Sequence, residues 1–304
     1  MPSSGLEWKL NELTAIQEKI AGRLAETAKS RQVVPKGPDR IGQQAVVVPT
    51  LLPGPPVQYG AERIVTPVHV YVDIMLNDQQ AAHPASFQNA IESAAAQLGV
   101  IEDEEVLQGA VGALPAPAPP PAAAPPLGRF ARNVNLARDG IAGGPGVVAA
   151  LVPLPGPTVI LAGPGVNPNG DQLNVAIINA VAQLQLRNRP GRLGLLVSHN
   201  LMATMQLARP TVPGGPPLIR EVEARIGKTI VATSALALPP VVLPALPGIC
   251  GVLLLLDPAA ADVVHTQLPT VTVLGRAGGL TYLRVEEEIA VRLWDPTAIQ
   301  IIQY

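Results

Sequence analysis

The feature that most constrains this chain is a strict two-residue alternation near its end. Across residues 280–294, Leu283, Val285, Ile289, Val291 and Leu293 are apolar, while Arg284, Glu286, Glu288 and Arg292 take positions between them. The segment therefore reads as one long strand with a single buried face, closed by the corner Asp295-Pro296. Glu287 falls on the apolar side. An unpaired carboxylate there would cost roughly several kcal/mol in lost hydration. Two readings stay open: a register bulge or edge position that reaches solvent, or a structural buried carboxylate with a basic partner in an adjacent strand or subunit.

At 304 residues the chain can bury a sizeable core, as one large domain or two small ones. A net charge of −2 with 14% charged residues leaves no global basic field, so nucleic acid is not an expected partner. Aromatic residues are 3% of the chain, too few for the stacking platforms of a carbohydrate or single-strand binder. The 34 Pro and 28 Gly make up roughly a fifth of the sequence, against about 12% in average usage, and imply many turns and irregular loops. A lone Cys250 excludes an intrachain disulfide and a multi-cysteine metal site and fits a reducing cytoplasm. Residues 1–11 hold no basic stretch followed by an apolar run, so the expected location is cytoplasmic. Residues 234–256 carry no charge, but Pro239, Pro240, Pro244, Pro247, Gly248 and Gly251 interrupt them. The reading is a loop leading into a buried strand over 249–256 rather than a membrane span.

Along the chain, Leu13, Ile16, Ile20 and Leu24 recur at helical spacing, which predicts an amphipathic helix ending near Val33-Val34-Pro35. Residues 44–63 are uncharged apart from Glu62 and Arg63 and contain Pro49, Pro53, Pro55 and Pro56, the pattern of an extended arm outside any sheet centre. Residues 65–76 alternate around Val68, Val70, Val72 and Ile74, with His69, Tyr71 and Asp73 on a mixed second face. Ser86 can cap a long helix running towards Gly109, with Phe87, Ile91, Ala94, Ala95 and Leu98 as its stripe. The acidic run over residues 102–105 reads as a solvated or interface face, because neighbouring carboxylates on a helix diverge.

Residues 115–126 are only Pro and Ala, a polyproline-type spacer, and residues 147–154 and 158–162 flank Pro155-Gly156-Pro157 as a hairpin. Asn169-Gly170-Asp171 opens a helix striped by Leu173, Ile177, Val181 and Leu184, followed by a basic loop over 187–192. A buried strand over 193–197, helices over 200–208 and 218–226, the second stopped by Gly227, and a strand over 228–233 complete the series.

Catalytic chemistry finds no support in this pattern. Ser198-His199-Asn200 are sequence neighbours and read as turn residues, since a nucleophile and its base come from distant positions. The Gly-rich runs at 143–146 and 163–171 lack phosphate-loop spacing and its lysine. The histidines 69, 83, 199 and 265 are scattered without metal spacing. No catalytic residue, metal site or cofactor is expected.

Three stretches carry a resemblance. The run 283–298, the exit Ser30-Arg-Gln-Val-Val-Pro-Lys-Gly-Pro38, and the acids 102–105 followed by Val106-Leu107-Gln108-Gly109 are similar to segments of encapsulins, the bacterial nanocompartment shell proteins. So is the order helix, loop, strand, helix, helix, strand over 169–233. The resemblance implies an α+β chain with the tailed-phage major capsid fold (Hong Kong 97 phage-like). Its expected parts are an N-terminal helix and arm (1–43), an extended loop (44–66), a first peripheral part (67–114), an axial domain (115–264, including a Pro-rich insertion over 115–170) and a last peripheral part (265–304).

The implied function is a non-enzymatic shell protein that assembles with itself into an icosahedral compartment around a cargo protein bearing a short targeting peptide. A tailed-phage major capsid protein is the alternative, and a soluble enzyme the alternative of another class. The resemblance makes Ile16, Ile20 and Leu24 candidates for the cargo contact or for anchoring the opening helix. It places Arg187, Arg189 and Arg192 in the loop around a five-fold pore, against the alternative that they splay outward onto acids such as Glu221 or Glu223.

Overall fold

The computed structural model describes residues 10–52, 58–112, 130–131, 158–160, 169–187, 189, 191–207, 212, 214–227, 229–236 and 249–303. The Pro/Ala spacer, residues 147–154, the Gly-rich run 143–146 and the Pro-rich stretch 237–248 lie outside them, as does the side chain of Leu13.

Helix α1 (Leu10–Thr27) follows from the expected periodicity: Ile20 and Leu24 are buried, Ile16 packs against the same cluster, and Arg23 and Glu26 pair on the exposed side. A tight turn over Ser30–Gln32 ends it, and residues 35–42 then run beside the strand that carries Val263 and His265. The amide of Gly37 donates to Val263 O at 2.8 Å and that of Arg40 to His265 O at 2.8 Å. Glycine is required at 37 by contact, because a Cβ there would lie 2.5 Å from Asp262 Oδ2.

The arm is a two-stranded antiparallel ribbon, β1 (Val46–Leu52) and β2 (Gln58–Val65), with a register shift between Pro49 and Leu51. Proline is tolerated because a two-stranded ribbon is all edge. Val46, Val48 and Val65 pack on Val264 and Ala290.

β3 (Val68–Asn77) leads through the short helix α2 (Asp78–Ala82), capped by Asn77, into the 29-residue α3 (Pro84–Gly112). This long helix starts two residues before the expected Ser86, because proline at the first helical position needs no N–H partner. The whole expected stripe is buried against Val68, Val70, Val72, Leu283 and Val285. β4 (Phe130–Ala131) and β5 (Thr158–Ile160) are short edge pieces.

The following units match the expected order: α4 (Gly170–Leu186), β6 (Leu193–Val197), α5 (His199–Met205), α6 (Leu218–Ile226) and β7 (Ile230–Ala232). Asn169 caps α4 in a reciprocal box with Gln172, and Gly227, at φ 91°, ends α6 in a conformation favouring glycine. β8 (Ile249–Leu255), β9 (Ala261–Ala277), β10 (Leu280–Leu293) and β11 (Ile299–Gln303) complete the chain.

Two larger sheets result, in the orders β4-β3-β10-β9 and β5-β11-β8-β6-β7. In the second, Leu195, Val197, Leu253 and Leu255 face the helices α4 to α6. Leu196, Val252 and Leu254 face Val33, Val34, Val106, Leu107, Ile289 and Val291. Burial on both sides explains why β6 and β8 read as continuous apolar runs instead of alternating.

Several expectations need correction. The 265–304 segment is divided between sheets: β9 already pairs with β10 from Ala261, and the chain turns at 295–298 to send β11 into the five-stranded sheet beside β8. The five residues of β11 are too few to announce a strand of their own. Thr158–Ile160 pairs in parallel with β11, an arrangement the sequence did not announce, while the other arm of the expected hairpin, 147–154, lies outside the described residues; among the described residues the 115–170 region contributes an edge to each sheet. Arg292, expected on the polar face, is buried together with Asp262, because the arm packs over that end of β10.

Candidate functional site

Four segments converge on one guanidinium. Glu287, fully buried on the apolar side of β10, meets Arg31 from the turn after α1, whose Nη2 lies 2.9 Å from Glu287 Oε2. The same nitrogen is 2.7 Å from Glu102 Oε2 on α3, and Arg31 Nε donates to both Glu102 oxygens at 2.8 and 2.9 Å. His265 of β9 closes the cluster, with Nε2 3.6 Å from Glu287 Oε2 and 3.4 Å from Arg31 Nη2.

The basic partner thus comes from a turn of the same chain, 256 positions away, and not from an adjacent strand. The bulge reading also has a trace, since the β9–β10 register shifts between Glu286 and Glu288, yet the carboxylate stays inside.

The electrostatics follow from the crowding. Burial pushes Glu287 well above the usual carboxylate range and the Glu102 carboxylate pushes the same way, while Arg31 opposes both. Burial would lower the Arg31 guanidinium, but Glu102 and Glu287 hold it above its ordinary value. His265 is pushed down to about 4 by burial and by Arg31.

The acidic run is therefore an interior feature, contrary to expectation: Glu102, Asp103 and Glu105 are all buried. Asp103 accepts the amide N–H groups of Ser30 at 2.7 Å and Lys29 at 3.0 Å and the hydroxyl of Thr233 at 3.0 Å. Burial still pushes it up to about 6. The sequence held a signal for Glu102, because the stripe Ile91, Ala95, Leu98 continues onto position 102 at helical spacing. For Arg31 there was none, since nothing in a turn motif says which distant strand it will meet.

The proposed cargo residues are placed in the chain's own core. Ile20 and Leu24 have no exposure and pack with Val70, Ile91 and Leu98; Ile16 is half-buried against the same cluster. Ile20 and Leu24 anchor α1 and offer no surface to a peptide.

The basic loop is divided as well. Arg187 donates to Thr297 O at 3.4 Å, and Arg189 Nη2 lies 2.6 Å from Asp295 Oδ2 and 3.3 Å from Thr297 Oγ1. Two of the three arginines thus hold the corner between β10 and β11, and Arg192 is exposed. Glu223, an expected acceptor, pairs with Arg220 at 3.2 Å.

On the arm, Val47 and Ile64 are cross-strand partners on the face opposite the body, 48% and 69% exposed. Ser198 caps α5 through Leu201 N at 3.3 Å, the structural turn role expected of it. Among the described residues, no group of three His, Cys, Asp or Glu is placed to hold a metal ion, and no helix is long and apolar enough to cross a membrane.

No protein-family model matches the sequence, and no curated protein does. Solved structures do match. A virus-like particle from Pyrococcus furiosus superposes with TM-score 0.63 at 14% identity, covering 95% of this chain and 98% of that one. The Mycobacterium phage Ogopogo structure matches with TM-score 0.54 at 16% identity over 91% of each chain. The capsid of an empty GTA particle matches with TM-score 0.54 at 12% identity, covering 91% of this chain and 90% of that one. These matches run over nearly the full length of the chain on both sides: this chain has the tailed-phage major capsid fold.

Proposed function

We propose that this chain is the shell protein of an icosahedral nanocompartment, assembling with itself around a cargo protein and performing no chemistry. The arm carries this reading. One face of the ribbon is buried on the chain's own body, and the other presents the apolar pair Val47 and Ile64 to solvent. An exposed apolar strand pair is an association surface by default, and a second copy is the partner that closes a shell. The named matches, a virus-like particle, a Mycobacterium phage and the capsid of a GTA particle, support the same role.

Cargo contact belongs to surfaces beside α1, since Ile20 and Leu24 are spent on anchoring it. Arg192 is the member of the basic loop left to face a pore. Negative-stain microscopy of the purified protein, with its nucleic acid content, tests the proposal. Closed particles poor in nucleic acid support the compartment, particles filled with DNA support a phage capsid, and a monomer rejects both.

A further inference from the structure

The buried cluster holds more carboxylate than its cation can neutralise. Glu102 and Glu287 have no exposure, and both contact the same Arg31 Nη2, at 2.7 and 2.9 Å. Two buried carboxylates on one guanidinium leave one negative charge uncompensated, and a proton on one of the two removes it. Glu287 Oε1 has no hydrogen-bond partner among the described residues and is free to carry the proton, whereas both Glu102 oxygens accept from Arg31 Nε.

We infer that Glu287 is a neutral acid, and that its proton is a switch fastening the turn after α1 to α3 and β10. With the proton in place, the Arg31 charge balances the Glu102 charge and the cluster is neutral. Loss of the proton to solvent base leaves two buried carboxylates against one guanidinium, and the tie through Arg31 loosens.

The surrounding groups do not supply the missing positive charge. His265 on β9 is held neutral, its ordinary value depressed to about 4. Lys36 pairs with Asp39 at 3.0 Å in the segment beside β9. Asp103 and Glu105 on α3 are further buried acids. Glu286 and Glu288, the neighbours on β10, bond to His69, Thr272 and Thr266 instead.

The sign follows from the raised position of Glu287. Below the ordinary carboxylate range of about 4.5 its proton is bound in folded and unfolded chains alike. Above that, the unfolded chain releases the proton first, so this group's contribution to stability falls as pH rises towards the folded value.

Infrared spectroscopy of the full-length protein at about pH 7 tests the assignment. A protonated-carboxyl band is expected that shifts on carbon-13 labelling of glutamate but not of aspartate. It should vanish in Glu287→Gln and persist in Glu105→Gln. Absence of the band in wild type, or its loss in Glu105→Gln alone, would overturn the inference.

Trypsin reads the consequence, because Lys29, Arg31 and Lys36 lie in the fastened segment. Glu287→Gln keeps the geometry of the neutral acid and cannot ionise. At about pH 9 wild type should be cut between positions 29 and 36 several-fold faster than Glu287→Gln, and at about pH 6 the two should match. An equal ratio at both pH values would contradict the switch.

Discussion

Arg292 and Asp262 form a two-point ion pair beneath the arm, with side chains only 6% and 3% exposed and the Trp294 ring 4.7 Å from the guanidinium. Breaking such a pair strands a charge in the interior. Arg292→Met alone should destabilise the protein by about 3–5 kcal/mol in urea unfolding, while Asp262→Leu combined with Arg292→Met should recover most of that loss. A double variant as unstable as the single one would show that the pair positions the arm rather than merely neutralising charge.

This pair also marks where sequence reading stops. The alternation 283–293 located β10 and its buried face, and the apolar runs 193–197 and 249–256 located the two strands with helices on one side and the sheet joint on the other. Local periodicity carries that information. Glu102 could be placed inside by continuing the α3 stripe, but the burial of Arg292 and Asp103 depends on which distant segment lands on them, and a residue's own neighbourhood does not encode the landing. The corner at Asp295 was legible as a stop; β11 beyond it was not, because its strand character comes from pairing with β8 and β5.

Ile20 is the sharpest test of what α1 does. With no exposure and neighbours Ile91 and Leu98, Ile20→Asp should yield insoluble or unfolded protein, a loss of about 3 kcal/mol or more. Glu18→Ala and Lys19→Ala, on the exposed side, should leave solubility and urea midpoint unchanged. A soluble, assembled Ile20→Asp that fails only to load cargo would restore the groove assignment.

His265 sets an acid limit. Its value in the folded chain, about 4, lies below the ordinary 6.5, so its contribution is complete above about 6.5 and is lost as pH falls towards 4. Thermal unfolding followed across that window should show wild type losing more stability than His265→Asn. Parallel curves would mean that the ring is not buried neutral.

The basic loop should split by function. Arg189→Gln removes the ion pair to Asp295 and should lower the urea midpoint by an amount equivalent to about 1 kcal/mol. Arg192→Gln should leave stability alone and reduce the preference of shells for anionic over cationic probes, an effect that weakens with added salt. Unchanged probe selectivity in Arg192→Gln would remove that residue from the pore.

Sedimentation velocity of wild type beside a Val47→Asp, Ile64→Asp double variant tests assembly through the arm most directly. These side chains face solvent in the single chain, so the variant should remain folded by circular dichroism. Wild type is predicted to sediment as a large closed particle, and the variant as folded subunits or small oligomers. A compact wild-type monomer at physiological salt, or a variant that still forms full-size particles, would contradict the account.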